Sequence, residues 1–101
     1  MQIMDTKVLK AIAHHLDPIV SIGNAGLSTS VIAELKRAIS DHELIKIRLN
    51  VEDRKFRREL ANEVAQLLCA KLVQQIGKVF VVYRPNEQTC PALSNITRFG
   101  H

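Results

Sequence analysis

Seven stretches of this chain carry a regular hydrophobic period, in the order helix, strand, helix, strand, helix, strand, strand. From about Thr6 to Leu16, the residues Val8, Leu9, Ile12 and Leu16 recur at the spacing of one helix face. Asp5 or Thr6 is placed to cap its start, and Asp17-Pro18 to end it, because the residue before a proline is driven out of the helical region. His14 and His15 fall in the last turn, where positive charge meets the carbonyl end of the helix dipole. Pro18 to Ile22 reads as a short strand with its proline at the entrance, where no ladder donor is needed. A second helix runs from Ser28 or Ser30 to about Asp41, its stripe made of Val31, Leu35 and Ile39, with Ile32 and Ala38 beside it and His42 at its end. Leu44 to Val51 is the clearest strand: Ile45, Ile47, Leu49 and Val51 alternate with Lys46, Arg48 and Asn50. The third helix follows Asp53 and buries Phe56, Leu60, Val64, Leu67 and Leu68. Strands over Leu72 to Ile76 and Val79 to Arg84 close the pattern. Gly77-Lys78 between them suits a type II′ turn, with glycine at the first central position, and Pro85 ends the last strand.

This order predicts an α/β fold, a single compact domain over residues 1–85 with a four-stranded mixed sheet packed with three helices. Strand pairs joined through a helix are expected to be parallel and right-handed, and the closing hairpin antiparallel. Residues 86–101 are polar with scattered Leu93, Ile96 and Phe99, and read as a mobile tail.

Composition narrows the class. The chain has 101 residues, 47% of them apolar, and a chain of this size buries roughly 60–70% of its unfolded surface, enough for a core without staples. No apolar run approaches the ~20 residues of a membrane span, and the first residues do not resemble a secretory signal, so a cytoplasmic location is expected. Cys69 lies on a helical apolar stripe and reads as a small core residue. Cys90 lies in the tail, and no disulfide is expected.

The net charge of +4, with an isoelectric point near 9.4, favours an anionic partner. Its distribution is more informative. Arg54, Lys55, Arg57 and Arg58 crowd the start of the third helix, against the helix dipole, with Glu59 and Glu63 placed for partial i,i+4 compensation. Such a run is commonly a solvated face, but its position at a helix start points to phosphate contact. Lys46 and Arg48 share one sheet face: under a helix they must snorkel to its edge, and in the open they extend a basic surface. Lys36 and Arg37 read as plain surface. Between the first strand and the second helix lies Gly23-Asn24-Ala25-Gly26. Glycines there permit a tight turn and close approach of another chain, and the following helix start favours an anion. A GxxG loop is also the nucleic-acid backbone clamp of RNA-binding KH modules.

Three blocks in order resemble the CRM domain (chloroplast RNA splicing and ribosome maturation) in its stand-alone bacterial YhbY form. They are Ile22-Gly23-Asn24-Ala25-Gly26-Leu27, Asp41-His42-Glu43-Leu44-Ile45-Lys46-Ile47, and the hairpin Gln75-Ile76-Gly77-Lys78-Val79-Phe80-Val81-Val82-Tyr83-Arg84-Pro85. The resemblance covers about Thr6 to Pro85. It implies a fold similar to the C-terminal domain of translation initiation factor 3 and an RNA-binding function. For stand-alone bacterial members it implies association with precursors of the large ribosomal subunit, and for plant relatives group II intron splicing. Many relatives carry a lysine or arginine inside the GxxG loop. Here it holds Asn24 and Ala25, which leaves backbone amides and Asn24 as the contacts.

The expected function is therefore a non-catalytic RNA-binding protein of ribosome assembly, contacting RNA backbone through Gly23, Asn24, Ala25 and Gly26 and through Arg54, Lys55, Arg57, Arg58, Lys46 and Arg48. No cofactor, metal or small-molecule substrate is expected: His14, His15, His42 and His101 have no partners at ligand spacing, and Ser21, Ser28 and Ser30 have no base arranged beside them, which weighs against a phosphate-ligand enzyme at the loop. Phe56, Phe80, Tyr83 and Phe99 are few for base stacking, and phosphate and shape recognition fits better. A protein-interaction module docking on an acidic partner is the alternative.

Overall fold

The computed structural model describes residues 5–85. The proposed tail, Cys90 and His101 lie outside the described residues. The seven expected elements are present: α1 (Thr6–Ala13), β1 (Val20–Ile22), α2 (Thr29–His42), β2 (Leu44–Leu49), α3 (Arg54–Leu67), β3 (Lys71–Ile76) and β4 (Val79–Tyr83). They form a four-stranded mixed sheet in the order β1-β2-β4-β3.

β1 and β2 are parallel neighbours joined through α2, as expected, and β3 and β4 form the antiparallel hairpin. β2 and β3, joined through α3, also run parallel as expected, but they are not neighbours. β4 lies between them, antiparallel to both. The reason is composition: β4 is Val-Phe-Val-Val-Tyr, apolar on both faces and almost wholly buried, whereas Lys71 and Ile76 at the ends of β3 are exposed. A strand without a polar face belongs in the centre of a sheet covered on both sides.

Helices cover both faces. Ile22, Leu35, Ile39, Ile47, Leu49, Leu60, Val64 and Phe80 belong to the larger core, between the sheet and α2 and α3. A smaller core on the other face gathers Leu9, Ile12 and Ala13 of α1 with Leu44, Val73, Val81 and Tyr83. α1 is shorter than its pattern predicts. Beyond Ala13, His15 and Leu16 bond to carbonyls three residues back, so the last turn tightens, and Val8 points outward at 42% exposure.

The end of α3 corrects the expectation for Cys69, which is exposed with φ 53° instead of lying in the core. Its amide bonds to the Gln66 carbonyl and that of Ala70 to the Ala65 carbonyl. This is a Schellman termination, with cysteine at the left-handed position where glycine is usual. The stripe continues to Leu68, which is buried, but Leu67 is turned partly to solvent.

Candidate nucleic-acid interface

The parallel β1 and β2 finish at the same end of the sheet, where the β3–β4 turn also lies. The Asn50 amide bonds to the Ile22 carbonyl at 2.7 Å, and the Leu49 amide to the Lys78 carbonyl at 2.6 Å. The glycine loop, the Asn50–Asp53 connection, the Gly77-Lys78 turn and the starts of α2 and α3 therefore gather at this end, called here the loop end.

In the glycine loop, the Gly26 amide bonds to the Gly23 carbonyl at 2.9 Å, closing a turn across Asn24 and Ala25. Only Gly26 needs its glycine for conformation, with φ 76°. Neither glycine is packed over: a Cβ on Gly23 or Gly26 would meet nothing within 4 Å. The turn thus presents bare backbone and the exposed Asn24 and Ala25 to solvent. α2 starts immediately after it. The Ser28 hydroxyl accepts from the Val31 amide at 3.2 Å, an uncharged cap that leaves the positive end of the dipole unopposed.

α3 starts differently. The Asp53 carboxylate accepts from the amides of Lys55 (2.9 Å) and Phe56 (3.4 Å). This charged cap offsets the repulsion between the dipole and the four following cations. The i,i+4 pairs expected for Glu59 and Glu63 are not formed. Arg57 Nη1 donates to the carbonyls of Val51 (2.8 Å) and Glu52 (2.9 Å), which ties down the β2–α3 connection and fixes the plane of its guanidinium. Arg54, Arg57 and Arg58, with Gln75 and Gly77, line a groove of about 300 Å³. Lys55, exposed on the same first turn, does not line it. Beside the groove Lys78 Nζ donates to Glu52 Oε1 at 2.6 Å, and this bond with the ammonium charge holds the Glu52 carboxyl below its usual range.

Lys46 and Arg48 are on the other face. The two readings for this pair divide along β2, because α1 covers Leu44 but not the opposite end of the strand. Lys46 is half-buried and Arg48 exposed. Arg48 Nε donates to Asn50 Oδ1 at 3.1 Å. Register places Ser21, Arg48, Val79 and Ile76 in one cross-strand row on this face. The structure thus brings Gly23–Gly26, Arg54, Arg57 and Arg58 to one end, on the α2–α3 side, with Arg48 at that end but on the α1 side and Lys46 farther down.

Sequence reading missed Gln75, Gly77 and the Glu52–Lys78 pair. The signal available was a polar residue, Gln75, at a strand position that register turns toward α3 beside Phe80. Among the described residues no group of three His, Cys, Asp or Glu side chains is placed to hold a metal ion.

The family model for the CRS1 / YhbY (CRM) domain matches residues 1–84. The chain belongs to the CRM domain family. The chain is 46% identical over 94 residues to a Pseudomonas aeruginosa protein named "Probable RNA-binding protein", covering 93% of this chain and 90% of that one. A Haemophilus influenzae protein named "RNA-binding protein" is 41% identical over 80 residues, 79% of this chain and 81% of that one. The CRM domain also superimposes on the solution structure of a hypothetical Staphylococcus aureus protein, a candidate RNA binding protein, with a TM-score of 0.74 and 29% identity, covering 84% of this chain and 88% of that one.

Proposed function

We propose that this chain is a non-catalytic RNA-binding protein that associates in the cytoplasm with precursors of the large ribosomal subunit, holding RNA backbone at the loop end of its sheet. RNA as the partner is supported by membership of the CRM family and by the names of its relatives. The ribosomal precursor comes from the resemblance to stand-alone bacterial members. The observation that carries the mechanism is the convergence, at one end of the sheet, of an unpacked glycine turn, an uncharged helix start and three arginines lining a groove. Phosphates suit all three. Stacked bases suit the domain less well, because Phe80 and Tyr83 are buried in the two cores and Phe56 packs against one of them.

The test is where the untagged protein sediments in a lysate gradient at low and raised salt. The reading expects a salt-sensitive peak with large-subunit precursors and none with mature ribosomes. Contact with roughly five phosphates of a single strand weakens by about 100-fold for a fourfold rise in salt. Protein found only at the top of the gradient at low salt contradicts the ribosomal assignment, and an association that survives nuclease treatment favours a protein partner instead.

A further inference from the structure

We propose that the arginine groove is a second phosphate site, separate from the glycine loop, and that the two sites together select RNA with two backbone strands side by side over a single strand. The inference rests on the RNA-binding reading and names the class of RNA.

The glycine loop continues β1, at one edge of the sheet, while the groove lies against β3, at the other. Three inter-strand steps separate those edges, roughly 14 Å. The ground between them is not basic. It holds the Asn50–Asp53 connection, where Glu52 is 89% exposed and Asp53 caps α3. Lys78 offsets Glu52, so the connection is about neutral at that pair and acidic at Asp53. One continuous strand joining the two sites would carry its phosphates across these carboxylates. A duplex meets no such conflict: its phosphates follow the two rims of a groove, with sugar hydroxyls and base edges between them. Both sites also lie on the α2–α3 side, since the glycine loop leads into α2 and Gln75 shares the face of Phe80. The groove is built in advance, because the Arg57 guanidinium is already held by the Val51 and Glu52 carbonyls, while Arg54 and Arg58 are exposed at its rim.

The experiment is fluorescence anisotropy over a salt series with two probes, a 20-base-pair RNA duplex and a 20-nucleotide single-stranded uridine RNA. Three proteins are compared: wild type, R54Q/R58Q and Q75E. The last adds a negative charge to the groove without removing a cation. Circular dichroism melts check that each variant is folded. Expected for R54Q/R58Q is a loss of at least tenfold on the duplex, with the salt slope falling by about 2, at about 0.9 per phosphate, and a loss at least threefold smaller on the single strand. Q75E is expected to weaken duplex binding in the same selective way. Unchanged duplex binding, or equal losses on both probes, would overturn the second site while leaving RNA binding intact. Wild-type protein that binds neither probe would sink the RNA-binding reading itself, and this inference with it.

Discussion

The two ends of the sheet use the same kind of side chain for opposite purposes. At the end where α2 and α3 finish, Arg84 donates through Nη1 to the Leu68 carbonyl (2.9 Å) and through Nη2 to Ser40 Oγ (3.0 Å), joining both helices to the end of β4. At the loop end, Arg54 and Arg58 remain at the rim of an open groove, and Arg57 commits only Nη1 to the fold. Positive charge alone therefore does not mark an interface. What distinguishes the loop end is that Arg54 and Arg58 are exposed at a groove, beside an exposed glycine turn and an uncharged start of α2.

Breaking the closed end should have the largest effect on stability. Arg84→Met leaves a carbonyl and a hydroxyl without their charged donor and is expected to lower stability by about 2 kcal/mol in urea unfolding, with RNA affinity per folded molecule unchanged. The opposite result is expected from the double variant N24D/A25D, which places two carboxylates over the start of α2. RNA binding should weaken more than about tenfold, with unfolding shifted by less than about 0.5 kcal/mol. If both variants moved both properties together, the division between the two ends would fail.

The element order was readable from the chain because period and turn chemistry are local. The Leu44–Leu49 alternation and the Gly77 turn, whose glycine has φ 56°, depend on no distant residue. Strand order was not readable. It depends on β4 displacing β3 from the centre, a competition between whole strands. The separation of Lys46 and Arg48 from Arg54, Arg57 and Arg58 follows from that order and from how far α1 reaches, so three arginines and an alternating pair look alike in the chain yet lie on different sides. Cys69 was misplaced for a local reason: a helical stripe continues smoothly through a Schellman turn when the residue at its left-handed position is not glycine.

Two backbone substitutions sharpen the contrast with smaller effects. Gly26→Ala forces a Cβ into φ 76° and should cost about 1 kcal/mol in thermal or urea unfolding, although no neighbour crowds the site. Cys69→Gly should raise stability by about 0.5 kcal/mol, since glycine suits the left-handed residue after α3. The smallest effect concerns pH. Lys78 lowers the Glu52 carboxyl in the folded protein, so its contribution is present above the unfolded carboxylate value near 4.5 and is lost as pH falls through the lowered folded value. Lys78→Met should lower stability slightly at pH 6 and flatten that acid limb in a series of urea melts from pH 6 to about pH 3, so that the variant and the wild type converge at the acid end.

Amide chemical-shift mapping of the folded domain during titration with RNA tests the central claim most directly. The account predicts that the shifting amides cluster at Gly23 to Val31, Asn50 to Arg58 and Gly77-Lys78, and that those around Ser40, Leu68 and Arg84 stay still. Shifts centred on the Arg84 end, or on α1 and the face it covers, would contradict it.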